Sequence, residues 1–286
     1  MLLFNAIPLL GALCAVILAV AVRPSLLDYA LLASMWTISG LGVSVGFHRH
    51  FTHRSFKTTR SVRWLLGVAG SMAAQGSVIA WVAIHRRHHE CSDSAGDPHS
   101  PHNDSGHTLS LLRGLLHSHC RWMWSHDMPN PAYYAPDLLQ DSVVRSVNRI
   151  YVLSVIAGIA IPFGVGWVIG GSLLSAFTGA LWGGCVRILL GDNIIWSINS
   201  LCHLFGARRF DTHDESRNLA LLCIPSFGES WHNNHHAFPT SAALGHEWWE
   251  LDIGYLLVKV LERLSLVHDV RTPATTSIDT VITQDR

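Results

Sequence analysis

The sequence predicts an all-α integral membrane protein: four transmembrane helices in two hairpins, with a cytoplasmic helical cap. Three observations predict it. The 286 residues are 49% hydrophobic and only 14% charged, with a mean hydropathy of +0.28. Several long runs carry no charged side chain. The 19 histidines crowd at the ends of those runs instead of scattering. Basic and acidic residues balance at 20 each, which leaves no case for a nucleic-acid partner. The six cysteines (Cys14, Cys91, Cys120, Cys185, Cys202, Cys223) form no CxxC pair and read as reduced, small core residues.

Met1 to Val22 holds no charge, long enough as a helix to cross about 30 Å of hydrocarbon. No basic stretch precedes it and no small-residue cleavage site stands out, so a retained span over 1–22 is expected, not a cleaved signal. Arg23-Pro24-Ser25 breaks it. A second span, 30–47, carries the Ser, Thr and Gly of a helix packed among others and runs straight into His48. Trp64 to Ile84 is also uncharged, and hydropathy alone makes it a span. Crossing would put His53 and His85 on opposite sides of the bilayer, where they share no metal. The stretch is therefore expected to dip in and return or to lie at the interface, a broken helix made tolerable by Gly67, Gly70, Gln75 and Gly76. His85 to Arg149 is polar and extramembrane. Spans three and four, 151–169 and 173–198, form a second hairpin turned at Gly170-Gly171. Residues 1–286 make a single domain, with 48–150 and 199–286 as its cytoplasmic regions and Thr272 to Arg286 as a loose tail. Every Lys and Arg except Arg23 and Arg187 falls on the histidine side, which the positive-inside bias places in the cytoplasm. Arg187 is costly in the last span unless paired, and Asp192 is its candidate partner.

Three histidine groups stand on that face: His48-Arg49-His50 with His53, His85 with His88 and His89, and His232 with His235 and His236. In the last two, i, i+3, i+4 spacing puts all three imidazoles on one helical face. Neutral imidazoles so grouped are transition-metal ligands. His48, His53, His85, His88, His89, His232, His235 and His236 are too many for one ion and enough for two, so the cap is expected to hold a dimetal site. His203, at the end of the last span, adds a ninth ligand, and Asn199, one turn earlier, can hold a metal-bound water. Ligand type alone leaves iron, zinc, copper and nickel open.

The other histidines read differently. His50 points away from His48; His99, His102 and His107 read as solvated or supporting; His117, His119 and His126 as anchors of an interfacial helix; His213, His246 and His268 as surface residues. Arg86 and Arg87 read as interfacial cations. Asp211, Asp214, Glu229 and Asp252 are expected to orient imidazole N–H groups. No side chain is an obvious acid, base or nucleophile, so no catalytic residue is expected beyond the metal ligands. A metal transporter would string its ligands along a transmembrane path; these collect at one surface.

These residues together resemble the membrane-bound fatty-acid desaturase family, in its acyl-CoA (stearoyl-CoA) Δ9 branch and bacterial relatives. The carriers are His48-Arg49 with His53, His85-Arg86-Arg87-His88-His89, Gly228-Glu229-Ser230-Trp231-His232-Asn233-Asn234-His235-His236, and Asn199-Ser200 through His203-Leu204-Phe205-Gly206. Weaker likenesses lie at Ser71-Met72-Ala73, Gly96-Asp97-Pro98-His99 and Tyr134-Ala135-Pro136-Asp137. The resemblance runs from about Leu41 to Arg271. It implies two Fe2+ ions on the nine histidines, with Asn199 acting through water, and dioxygen-dependent insertion of a cis double bond, Δ9, into a saturated fatty acyl chain. Hydroxylation or acetylenation by the same histidine set is the alternative.

The residues expected along the acyl chain are Trp36, Gly40, Gln75, Trp81, Arg187 and Trp196. Stepping back from His48 by turns reaches Ser44, Gly40 and Trp36, so Gly40 would leave room beside the chain and Trp36 would close its far end. Arg121-Trp122 stands where family members have Gly-Trp, Ser230 where they have Gly, and Ala83-Ile84 where animal members hold coenzyme A with polar residues. The acyl carrier is thus open among acyl-CoA, acyl carrier protein and membrane lipid. No haem-binding His-Pro-Gly-Gly is present, so a separate electron donor is implied, such as ferredoxin or cytochrome b5 with its reductase. The expected location is the cell inner membrane, multi-pass, with the site cytoplasmic.

Overall fold

Apolar composition and helix-compatible periodicity produce a chain of helices, which the computed structural model describes over residues 2–125 and 127–274. Met1, His126 and 275–286 lie outside the described residues, and with them the expectation for His126 and most of the expected tail.

The first helix, α1, is Leu2–Ala21. The second, α2, spans Leu26–Leu41 and opens on a capping box: the Ser25 hydroxyl accepts from Asp28 N while the Asp28 carboxylate accepts from Ser25 N at 2.8 Å. It continues without a break as a π-helix over Gly42–Thr52. Helix α3 is Arg60–Ser71 and α4 is Val78–Cys91. After the polar region come α5, Tyr151–Gly170, and a helix that passes through a π segment at Ala180–Val186 into α6, Arg187–Ser200. The short α7, His232–Ala237, carries the last histidine group.

Three of these helices are long and apolar enough to cross a membrane: Leu26–Thr52, Tyr151–Gly170 and Leu173–Leu201. The described apolar stretch of α1, Ala6–Ala21, is shorter than those. Val20, Leu26, Leu153, Ile161, Val168 and Ile169 stand exposed on these helices, as lipid-facing side chains do. The hairpin between α5 and the next helix turns where expected, at Gly171, whose φ of +66° is the left-handed C-cap conformation that glycine adopts without a Cβ penalty.

Trp64 to Ile84 is broken, as the histidine argument required. Helix α3 stops at Ser71 and α4 starts at Val78; between them Ala74 and Gly76 take φ of +64° and +103°. A helix that breaks off inside the protein leaves its last carbonyls without helical partners. Arg187 answers that need. Its guanidinium donates to Met72 O at 2.6 Å, Gly158 O at 3.0 Å and Gly183 O at 3.2 Å. In place of the expected Arg187–Asp192 ion pair the guanidinium takes carbonyls from three elements: the end of α3, α5 and the π segment before α6.

The π segment packs on α3 through small residues. A Cβ on Gly42 would overlap the Gly70 backbone, and one on Gly46 would sit 3.0 Å from Leu66. That close approach fixes the histidine end of α2 against the cap. Arg49 is buried beneath it, held by Glu229 at 3.1 Å and Asp252 at 2.9 Å. The cap adds two short antiparallel pairings, Lys57–Thr58 with Val267–His268 and Asn103–Asp104 with His107–Thr108. Two isolated bridges, Ala207 with Asn218 and Asn218 with Trp231, join the loops beside the last histidine group. All six cysteines are free.

Candidate metal centre

The first cluster begins in the π-helix. In an α-helix residues five apart point about 140° away from one another. Here His53 N donates to His48 O at 3.2 Å, an i to i+5 bond, so the wider turn brings both imidazoles to one side. His85 and His89 arrive one turn apart on α4, and His235 comes from α7. Their Nε2 atoms meet in sequence: His85 to His53 at 3.1 Å, His89 to His85 at 3.0 Å, His235 to His89 at 2.9 Å, and His48 to His235 at 3.0 Å. The second cluster is His88, His203, His232 and His236, with His232 and His203 Nε2 atoms 3.0 Å apart. Within each cluster every candidate ligand atom lies within 4.8 Å of the others.

These separations are those of ligands around one ion. With metal–nitrogen bonds of 2.0–2.1 Å, neighbouring ligands at right angles sit about 2.9 Å apart. The outer nitrogens are held as ligands require. The Nδ1 atoms of His48 and His236 pair with Glu229 and Asp214; that of His88 donates to Asp97 at 3.0 Å and that of His203 to Asp93 at 2.7 Å. A carboxylate on Nδ1 fixes the tautomer and leaves the Nε2 lone pair for a metal. The Nε2 atoms of His88 and His236 are buried without any hydrogen-bond partner, the state of a lone pair that a cation would satisfy. The donor set therefore fits two transition-metal ions.

Electrostatics favours the neutral form of most imidazoles whose values shift. Burial, then neighbouring imidazoles, pushes His85, His89, His232 and His235 well below the ordinary histidine value, and burial brings His236 down to about 4. Burial lowers His203 too, but Asp93 outweighs it and holds its value up. Burial alone would raise Asp93, Asp97 and Asp214; the imidazoles beside them hold all three well below the carboxylate range.

Of the four carboxylates expected to orient imidazoles, Glu229 and Asp214 do so. Asp252 instead binds Arg49 and the backbone amides of Leu244 and Tyr255, while Asp211 pairs with Arg208. The sequence reading missed Asp93 and Asp97. Their signal was position: two carboxylates in the turn that directly follows α4, within reach of imidazoles that need partners.

His50 lies outside both clusters, donating to Phe56 O at 3.2 Å and accepting from Arg63. His99 is not solvated: it is buried 4.4 Å from the His88 ring. His102 donates to His203 O at 2.8 Å, and His107 is exposed. His117 is buried, its Nδ1 3.8 Å from Asp104; His119 faces Ser200 and Asn193. His213 and His268 are exposed, as expected, and His246 is half-buried. Arg86 is no free interfacial cation. It donates to Asp137, Phe51 O and Thr52 O, tying the end of the π segment to α4, and Arg87 donates to Gly96 O.

A cavity of about 200 Å³ adjoins the first cluster, with Gln75, Trp81, His85, Trp196 and Asn199 on its wall. Trp81 stacks on the His85 ring at 5.0 Å. A second, smaller cavity of about 30 Å³ touches Trp36, Gly40, Gln75 and Arg187. The six residues expected along an acyl chain thus divide between two chambers, and only Gln75 lines both. The room expected beside Gly40 is filled: a Cβ there would overlap the Phe227 ring.

A family model described as fatty acid desaturase matches residues 24–263. The chain is 48% identical over 280 residues, 97% of this chain and 87% of the relative, to hex-5-enoyl-(acyl-carrier protein) acetylenase of Moorena producens (strain JHB). It is 38% identical over 245 residues, 84% of this chain and 74% of the relative, to Delta-9 acyl-lipid desaturase 1 of Arabidopsis thaliana. It is 36% identical over 242 residues, 82% and 80% of the two chains, to sn-1 stearoyl-lipid 9-desaturase of Anabaena variabilis.

Proposed function

The chain belongs to the fatty acid desaturase family, an oxidoreductase by that membership, and we propose that it uses dioxygen to introduce a cis double bond into a fatty acyl chain. The observation that carries this reading is the pair of all-imidazole clusters, the first of which opens through His85 onto a mainly apolar cavity. His48, His53, His85, His89 and His235 would hold one Fe2+, and His88, His203, His232 and His236 the other. Asn199, on the cavity wall, would act through water. When bound, the two irons supply the oxidising power that dioxygen chemistry needs at an unactivated CH₂–CH₂ unit. Two hydrogens leave that unit; with two electrons and two protons from outside, dioxygen ends as two waters.

The protein's own residues position and exclude. Neutral ligands add no charge beside hydrocarbon. Trp81 and Trp196 give the acyl chain apolar walls, and placement of about an ångström decides which CH₂–CH₂ unit reacts. Δ9 is the position in the Arabidopsis and Anabaena relatives' names, and we carry it over as the reading for a saturated chain. Acetylenation is the second reading, favoured by the 48% identity to a protein named as an acetylenase. The acyl carrier (acyl carrier protein, acyl-CoA or lipid) and the electron donor (a ferredoxin, or cytochrome b5 with its reductase) are separate molecules in this reading. The protein sits in the cell inner membrane on four spans, α1 included, with the histidine cap cytoplasmic.

The test is expression in a bacterial host, iron analysis of the purified protein and fatty-acid methyl ester profiling. New cis-alkenoyl or alkynoyl chains with about two irons per chain are expected. An unchanged acyl profile from iron-loaded protein supplied with a donor, or a zinc-only form that turns over, overturns it.

A further inference from the structure

The two chambers that divide the acyl-contacting residues meet at Gln75 and Ile195, with Asp192 on the larger side and Arg187 on the smaller. The larger one leads toward the surface, because Ile84, Trp122 and Met123 line both it and an adjoining pocket that reaches the exposed Asp127 and Met128. The metal cluster, through His85, lies on its wall, and Asp192 and Gln75 also line it. Gln75 lines the smaller chamber as well, together with Arg187. Asp192 is buried, and its Oδ1 has no hydrogen-bond partner; neither has Gln75 Oε1. A second obstruction stands in the smaller chamber. Phe227 holds a φ of +60°, unusual for a residue with a Cβ, and its ring fills the space against Gly40.

We infer that Gln75, Asp192 and Arg187 form a polar partition that ends the acyl chamber shortly beyond the metal centre. The enzyme then selects chains whose methyl end lies close to the oxidised carbons. This rests on reading the site as an acyl-chain oxidase, and it names the substrate class within that reading.

The physical reason is desolvation. A methyl terminus pressed against a buried carboxyl and an amide oxygen offers neither a hydrogen bond, and forcing more methylenes past them would displace whatever polar contacts they hold. Each methylene added on the methyl side of the reacting carbons would also have to move the Phe227 ring. The partition limits the segment beyond the oxidised carbons and, with the thioester held at the chamber mouth, limits the chain length admitted. Short chains oxidised near their end and medium chains oxidised further along are both admitted; octadecanoyl chains oxidised at their middle are not.

The experiment measures binding and turnover separately, on full-length protein in detergent. Hexanoyl, decanoyl, tetradecanoyl and octadecanoyl thioesters of acyl carrier protein are titrated against wild type, Asp192→Leu, Asp192→Asn and Phe227→Ala. Thermal shift reports binding, and mass spectrometry of the acyl chain, on iron-loaded protein supplied with dioxygen and a reduced ferredoxin, reports product. Wild type is expected to be stabilised by the shorter chains and at least tenfold less sensitive to octadecanoyl. Asp192→Leu should raise the long-to-short preference at least tenfold, Asp192→Asn should leave it near wild type, and Phe227→Ala should shift it in the same direction as Asp192→Leu. Equal binding of hexanoyl and octadecanoyl chains by wild type overturns the inference, as does an unchanged preference in a folded Asp192→Leu or Phe227→Ala protein. Graded binding without product from any chain leaves the partition standing and overturns the oxidase reading.

Discussion

Replacing Glu229 by Gln separates the metal role of this carboxylate from its structural one. Glu229 is 6% exposed. It accepts from the Nδ1 of His48 and the hydroxyl of Ser44, and from Arg49 at 3.1 Å. A glutamine keeps the shape but presents one acceptor and one donor, so either His48 or Arg49 loses its partner. Loss of an imidazole-orienting partner costs roughly 10–100-fold in metal affinity, about 1.4–2.7 kcal/mol. Stability should fall less than the roughly 3–5 kcal/mol of a stranded buried charge, because Asp252 still holds Arg49 at 2.9 Å. Asp252→Asn is the matched control, since Asp252 touches Arg49 and backbone amides but no imidazole. The assay is iron per chain during stepwise chelator exposure, with a thermal melt on the same samples. Glu229→Gln should release one metal at a tenfold or more lower chelator concentration while the other stays; Asp252→Asn should melt earlier with wild-type release. A folded Glu229→Gln protein that releases both metals at the wild-type midpoint would refute the assignment of Glu229 to the His48 cluster.

Three further outcomes are expected. Alanine at His85, His88, His232 or His235 should abolish turnover and lower the iron content, whereas His50→Ala, which loses only Phe56 O and Arg63 contacts, should keep both; an iron-free His50→Ala protein would enlarge the ligand set. Cysteines at Arg63, Ser92 and Ser146 should escape a membrane-impermeant thiol reagent applied outside intact cells, and labelling at Ser92 but not Arg63 would mean that α3 and α4 lie across the bilayer from each other. Finally, stability and metal retention should fall together on acidification. His85, His89, His232 and His235 sit well below the ordinary 6.5, and His236 near 4, so below pH 6.5 the unfolded chain binds more protons than the folded one and stability is lost toward pH 4. His203, whose value is raised, opposes this. Thermal melts with metal analysis from pH 8 to 5 test the sign, and a melting temperature that rises on acidification would contradict it.

The histidine grouping was legible because ligand spacing is a local property. An i, i+3, i+4 triplet converges on any helix, and the demand that His53 and His85 share one side of the membrane correctly broke the uncharged stretch between Trp64 and Ile84. What escaped was whatever depends on chain segments distant in sequence. Asp93 and Asp97 meet His203 and His88 only after the loop beyond α4 folds back; Arg187 finds Met72 O only because α3 ends there; and the Phe227 ring reaches Gly40 from nearly two hundred positions away. The His48–His53 pair shows the boundary between the two kinds of knowledge. On an α-helix those residues diverge, so their spacing alone argues against a shared ion, and a π turn is not written in the residues of the turn itself. It is favoured where Gly42 and Gly46 let α2 press against Gly70 and Leu66 of α3, with the Thr52 hydroxyl donating to Phe47 O at 2.8 Å to close the wide turn. The glycines that remove helix propensity there also permit the contact that turns both imidazoles toward α4. The metal geometry is therefore set by helix packing next to the membrane as much as by the histidines themselves, and a bulkier residue at Gly42 should disturb the His48–His53 pairing without touching a ligand.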